Sequence, residues 1–170
     1  MINPLHVFIY PMQKATLVLP IKGDPVSEVL LGYKKIGFGQ GKYTGFGGKV
    51  EPGESVVEAA LREFAEETGI TISDPQTLEF AALLQFRFPR KRSWSQDVSV
   101  FTLRTWEGQA RESNEMIPQW FRLEEIPYRQ MWDDARHWLP LILVREKFQA
   151  KFTSLYPNHM ITFSFQDELE

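Results

Sequence analysis

The chain contains no cysteine, which excludes disulfides, thiolate zinc sites, iron–sulfur clusters and a cysteine nucleophile together. Histidine is scarce: His6, His137 and His159 are the only three, and no two have the spacing of a ligand pair. Any bound metal must therefore be held by oxygen, which points to Mg²⁺, Mn²⁺ or Ca²⁺. Positive charge is not in excess, since 19 Lys and Arg stand against 22 Asp and Glu. The resulting −3 offers no broad cationic face, so a protein that coats duplex nucleic acid is not expected. Long hydrophobic runs are missing too. The longest, Ala15 to Ile21 and Trp138 to Val144, fall well short of the ~20 apolar residues that cross a bilayer. The amino terminus shows no basic segment leading into an apolar stretch and a small-residue cleavage site. A soluble, cytoplasmic protein is the expectation, with no membrane partner.

At 170 residues the chain has single-domain length, and one domain over residues 1–170 is expected to bury enough surface to form a core without staples. Aromatic side chains are plentiful, with 13 Phe, 5 Trp and 5 Tyr. Most must belong to the core, and some can line a cleft. Short apolar runs bounded by turn residues predict strands at His6–Tyr10, Ala15–Ile21, Glu28–Tyr33, Thr77–Phe88, Val98–Trp106 and Trp120–Leu123. Gly23-Asp24-Pro25 reads as a turn, and Lys147–Phe152 with Met160–Phe165 as a closing hairpin. Residues 37–53 carry seven glycines and read as loop, anchored by Phe46 and Val50. Pro89-Arg90-Lys91-Arg92 is a short basic loop whose simplest role is a solvated turn. A helix is expected over Trp138–Lys147. Strands mixed with two helices indicate an α/β layered fold.

The clearest helix runs from about Ser55 to Thr68. Ser55 and Glu58 form a capping box, and Gly69 stands where a left-handed cap belongs. Val57, Ala60, Leu61, Phe64 and Thr68 make an apolar stripe at helical spacing. Glu63, Glu66 and Glu67 share a face expected to lie away from that stripe. Three carboxylates on one face repel, and two sit in the last turn, where the helix dipole disfavours anions by roughly 0.3–1 kcal/mol each. A solvated face with Arg62 pairing Glu66 would explain them. The preceding Gly45-Phe46-Gly47-Gly48 suggests another role, because such a loop can bring backbone carbonyls to a hard cation. Glycine loop and carboxylate helix together make a plausible divalent-metal cradle for phosphate chemistry.

Gly48, Glu54 and the run Arg62-Glu63-Phe64-Ala65-Glu66-Glu67-Thr68-Gly69-Ile70 match the pattern G-x(5)-E-x(7)-R-E-U-x-E-E-x-G-U at every constrained position. Seven fixed residues agree by chance on the order of once in ten million. The chain thereby resembles the Nudix family of hydrolases. From Val29 to about Phe152 it is similar to the MutT-homologue branch, whose members hydrolyse oxidised purine nucleoside triphosphates. The resemblance implies an α/β/α sandwich around a mixed β-sheet and a reaction dependent on Mg²⁺, with Mn²⁺ as the alternative. It also implies a small-molecule nucleotide substrate and a role in cleaning the nucleotide pool. The sequence is silent on oligomeric state, with a monomer the simplest expectation.

Carried over by resemblance, the Gly47 carbonyl and the carboxylates of Glu63, Glu66, Glu67 and Glu115 would bind the metals. Glu63 is the first candidate for general base and Glu115 the second. Arg62 and Glu54 look like a pair that orients loop and helix. Thr16, Lys34, Phe38, Thr44, Phe86, Gln96, Trp132 and Asp134 would line the nucleobase pocket, with Trp132 and the two Phe rings able to sandwich a purine. Core packing is the alternative for Phe86 and Trp132. Lys49 is a further candidate for phosphate or base contact. The chain departs from the branch at Thr44, where an Asn is usual, and at Gln96, where a Met is usual. Ungapped alignment puts the second acid of an Asp pair on Ala135, whereas a one-residue slip would make the pair Asp133 and Asp134. Ordinary dNTPs, nucleotide sugars, RNA 5′-triphosphate ends, or a non-catalytic nucleotide-binding module are the competing readings.

Overall fold

The computed structural model describes residues 12–144, 147–156 and 159–167. The strand expected at His6–Tyr10 lies outside them. Among the described residues there are eight strands: β1 (Gln13–Lys22), β2 (Glu28–Lys34), β3 (Tyr43–Thr44), β4 (Leu78–Arg87), β5 (Gln96–Leu103), β6 (Met116–Arg122), β7 (Phe148–Tyr156) and β8 (His159–Asp167). They form one mixed sheet in the order β3-β2-β1-β5-β4-β7-β8, with β6 paired to β2. Pairing is parallel for β1–β5 and β4–β7, and antiparallel for β4–β5, β7–β8 and β2–β6.

Two helices cover the sheet, α1 (Val56–Thr68) and α2 (Ala135–Leu143). Strand alternation assigns them to opposite faces. Leu19 and Ile21 of β1, with Val98 and Val100 of β5, pack with Trp138, Leu139 and Ile142 of α2. Val18 of β1 and Phe101 and Leu103 of β5 pack with Ala60 and Phe64 of α1. Helix, sheet and helix thus stack as the expected α/β/α sandwich.

The structure shifts several boundaries. α2 begins at Ala135, three residues before the expected start, and ends at Leu143. Pro140 falls in its interior, a position that lacks the N–H needed for a full helical ladder. Trp120–Leu123 is the tail of a longer strand, because β6 starts at Met116 and Leu123 opens a 3₁₀ turn. The capping box of α1 is made from both sides: Glu58 N donates to Ser55 Oγ at 3.2 Å, and Ser55 N donates to Glu58 Oε2 at 2.7 Å. Gly69 closes the helix at φ +73°, a left-handed turn that glycine adopts without a Cβ penalty.

The glycine loop lies along the first half of β1 in place of a strand. Val18 and Phe46 exchange N–H···O bonds of 2.6 and 3.0 Å, Thr16 N donates to the Gly48 carbonyl at 2.8 Å, and Phe46 is fully buried against Phe64. This seating brings the loop directly beneath α1.

Candidate active site

Arg62 joins loop to helix. Its guanidinium donates to both Glu54 oxygens at 2.8 and 3.0 Å, to the Lys49 carbonyl at 3.1 Å and to Glu63 Oε1 at 2.8 Å. A planar fork with five donors can hold all of these at once, which an ammonium cannot. The hydrogen bonds from Arg62 hold the Glu54 carboxyl below its ordinary range, and those to Glu54 and Glu63 push Arg62 up. The pairing with Glu66 expected on helix spacing is also present, at 3.6 Å.

The three helix carboxylates do not share one solvated face. Glu66 is 62% exposed, Glu63 19%, and Glu67 only 3%. Glu67 lies beside Phe64 and Thr68 on the flank of the apolar stripe, so the helix turns it inward. Burial raises its pKa to about 7, against the opposing pull of Lys34 and of the Gly47 N–H. That N–H donates to Glu67 Oε2 at 2.8 Å, and Lys34 Nζ lies 3.4 Å from Oε1.

Glu115 reaches this place by strand register. β6 runs antiparallel to β2 with Met116 opposite Lys34, and Lys35 N donates to the Glu115 carbonyl at 2.7 Å. The same Lys34 ammonium donates to Glu115 Oε2 at 3.1 Å, so it spans Glu67 and Glu115. Burial by itself would lower the Lys34 pKa, but attraction to these two carboxylates prevails and raises it.

Two cavities meet here. One, of about 720 Å³, is lined by Glu63, Glu66, Glu67, Glu112 and Glu115, with Lys35 as its single cation. The other, of about 510 Å³, also reaches Glu115 and is lined by all eight residues expected around the base: Thr16, Lys34, Phe38, Thr44, Phe86, Gln96, Trp132 and Asp134. Gly47, Gly48 and Lys49 belong to its rim. Glu112, Asn114, Ile36, Phe88 and Trp138 were not singled out from the sequence. Two of these could have been: Phe88 stands two residues beyond Phe86, and Trp138 stands four beyond Asp134, to which its Nε1 donates at 2.7 Å.

The structure also orders the two adjacent acids. Asp134 lines the cavity, and burial raises its carboxyl above the ordinary value. Asp133 instead pairs with Arg136 at 3.4 Å on the exposed side of α2, and Ala135 is buried. One acid faces the cavity. The expected sandwich between Phe38 and Trp132 is not open, since their rings already stack at 5.1 Å. Phe86 is likewise engaged, stacked on Phe152 at 5.3 Å.

The carboxylate cluster fits a hard divalent cation. Among the described residues no backbone N–H takes the Gly47 carbonyl, although the carbonyls on either side of it, of Phe46 and Gly48, are bonded to β1. Glu67 is a buried carboxylate whose one cationic partner among the described residues is a lysine at 3.4 Å; it is under-compensated, and a cation would relieve it. As they stand, no three acidic or imidazole side chains among the described residues converge into a closed metal cage. The set therefore suits an open site completed by backbone oxygen, water and phosphate rather than a structural one.

A model of the NUDIX domain matches residues 11–142. The chain belongs to the Nudix hydrolase family. The zebrafish (Danio rerio) protein named oxidized purine nucleoside triphosphate hydrolase is 44% identical over 137 residues, covering 81% of this chain and 83% of its own. The mouse (Mus musculus) protein of the same name is 38% identical over 152 residues, covering 89% and 93%. Among solved structures, a MutT protein from Bacillus halodurans superposes with a TM-score of 0.76 at 23% identity over 91% of this chain and 97% of its own, a likeness of fold. Nudix hydrolases depend on divalent metal ions, which agrees with the donor chemistry of the acidic cavity.

Proposed function

We infer that this Nudix hydrolase cleaves oxidised purine nucleoside triphosphates such as 8-oxo-dGTP, using Mg²⁺, to the monophosphate and pyrophosphate. It would act as a single domain over residues 1–170, in the cytoplasm, and so clean the nucleotide pool. The observation that carries the reading is the junction at Glu115 of an acidic cavity with an aromatic one, sized for a polyphosphate and a base respectively. The names of the zebrafish and mouse relatives support the substrate class. Among the described residues no helix is long and apolar enough to cross a membrane.

Without a cation, five carboxylates would repel a substrate bearing about four negative charges. Divalent metal bound there would reverse the local sign, polarise phosphoryl oxygens and make the attacking water more acidic. Glu66, Glu67 and the Gly47 carbonyl would hold it. Glu63 is the first choice to accept the proton of the attacking water, with Glu115 on the opposite wall as the second, and the anhydride bond between α- and β-phosphates breaks. Arg62 keeps Glu63 aimed and takes no direct part.

Base selection falls to the second cavity. Oxidation of guanine to its 8-oxo form converts the N7 acceptor into an N–H donor. The Asp134 carboxyl accepts from Trp138 Nε1 at Oδ2, faces the cavity, and is the group that would receive that donor. Thr16 Oγ1 is buried with no hydrogen-bond partner among the described residues and supplies another polar contact. A site built around such bonds discriminates strongly, because the wrong base leaves them unpaired. The basic residues 90–92 line neither cavity, which gives no support to an RNA 5′ end as substrate. Pyrophosphate release with Mg²⁺ across a nucleotide panel tests the assignment. Equal kcat/KM on 8-oxo-dGTP and dGTP would reject the sanitising role.

A further inference from the structure

Phe38 is 62% exposed, yet its ring is held on two sides. It stacks on Trp132 at 5.1 Å with planes 21° apart, and meets Trp94 at 6.0 Å and 62°. Trp94 is met in turn by Phe88 at 5.9 Å and 81°, and the Lys91 ammonium sits 3.7 Å from its ring centre. Phe88, Phe38 and Trp132 all line the base cavity, whereas Trp94 does not. Four rings thus form a continuous chain, Phe88–Trp94–Phe38–Trp132, in which Trp94 is the one link outside the cavity lining. Phe38 itself stands between Gly37 at φ +75° and Gly39 at φ +88°, two left-handed positions that glycine adopts without a Cβ penalty. A base inserted between Phe38 and Trp132 would need the rings about 7 Å apart, twice the contact distance, so the pair acts as a ready-made wall rather than as two jaws.

We propose that Trp94 is a positioning residue for base binding: it buttresses Phe38 against Trp132 and so preorganises one wall of the cavity. The basic loop, which serves neither cavity directly, supplies the Lys91 cation that seats Trp94, and the short 3₁₀ turn that follows it, Arg92–Trp94, carries the buttress itself. Without Trp94, the exposed Phe38 ring keeps only its contact with Trp132 among these neighbours and explores open rotamers, and a nucleotide must order it on binding. This rests on the reading of the aromatic cavity as the base site.

The test is calorimetric binding of 8-oxo-dGMP and dGMP to wild type, Trp94→Ala and Trp94→Phe, alongside steady-state hydrolysis of the preferred triphosphate. Trp94→Ala removes the edge contacts to both Phe38 and Phe88; loss of the Phe38 contact predicts a Kd and KM raised about 3- to 10-fold, with kcat within about twofold. Trp94→Phe, which keeps an aromatic edge, should recover to within about twofold. Inhibition by inorganic pyrophosphate, which engages only the acidic cavity, should not change, whereas a general loss of structure would move it as well. Unchanged or tighter monophosphate binding in Trp94→Ala, or equal weakening toward pyrophosphate, would overturn the buttress alone. Failure of wild type to bind either monophosphate would overturn the base-cavity reading and the buttress with it.

Discussion

Gly48→Ala should inactivate the enzyme while leaving it folded. A Cβ at this position would overlap the carboxyl carbon and both oxygens of Glu63. The obstructing atoms are the end of a flexible side chain, and Gly48 is not among the positive-φ glycines, so alanine fits its backbone. The carboxylate must swing aside by about 1 Å or more to reach ordinary contact, and in doing so it gives up the 2.8 Å bond from Arg62. That loss costs about 1 kcal/mol. It is offset by the 0.4–1 kcal/mol, roughly, that replacing glycine removes from the entropy of the unfolded chain. Net stability should therefore change by under ~1 kcal/mol, a Tm shift of no more than about 4 °C at this chain length. Misplacing a catalytic group by 1 Å costs on the order of 100-fold in rate. The assay is Mg²⁺-dependent pyrophosphate release beside differential scanning calorimetry. Gly47→Ala supplies the contrast: its Cβ would strike the Thr16 carbonyl, which is β1 backbone and cannot yield, so this variant should lose about 3 kcal/mol of stability. If Gly48→Ala retained turnover within about fivefold of wild type, the role given to the Glu63 carboxylate would be wrong.

Three other outcomes are expected. Glu66→Gln should lose most metal-dependent turnover at unchanged Tm, since the side chain is 62% exposed and off the apolar stripe; full activity would remove Glu66 from the metal set. Asp134 gives a pH dependence of stability. Burial raises its carboxyl above the ordinary 3.8, so the folded chain keeps that proton to higher pH than the unfolded one. Its stabilising contribution is complete below 3.8 and is lost as pH rises through the raised native value. Asp134→Asn should accordingly gain on wild type in denaturant midpoints as pH rises from about 4 toward 8, and a pH-independent difference would contradict this. Thr44→Asn places a two-sided amide on the cavity wall and should lower KM for oxidised guanine; an unchanged KM would mean that position 44 does not read the base.

Much of the site was legible because it is written in contiguous chain. The capping box of Ser55 and Glu58, the cap at Gly69 and the spacing of Arg62, Glu63, Glu66 and Glu67 follow from helical periodicity, and all are present. Residues around the base cavity, from Thr16 to Asp134, came by resemblance to a family and not from any local rule, since they are far apart in sequence. The α/β/α layering likewise came by that resemblance, and the packing of alternate β1 and β5 residues on α2 and α1 accounts for it.

By itself, the sequence determined the oxygen-only ligand chemistry, the α/β class and the identity of the carboxylate helix, because composition and short-range spacing act within one element. Tertiary structure alone decided what those carboxylates meet. Helical phase already puts Glu67 on the flank of the apolar stripe and Glu66 off it, but the Gly47 N–H and the Lys34 ammonium that receive Glu67 come from segments distant in the chain. Resemblance names Glu115 and Asp134, but only the register of β6 on β2 brings Glu115 to the cluster, and only the placing of α2 aims Asp134 at the cavity while Asp133 pairs with Arg136. In each case the deciding quantity is a burial or a contact between segments distant in the chain, which exists only once the sheet has formed.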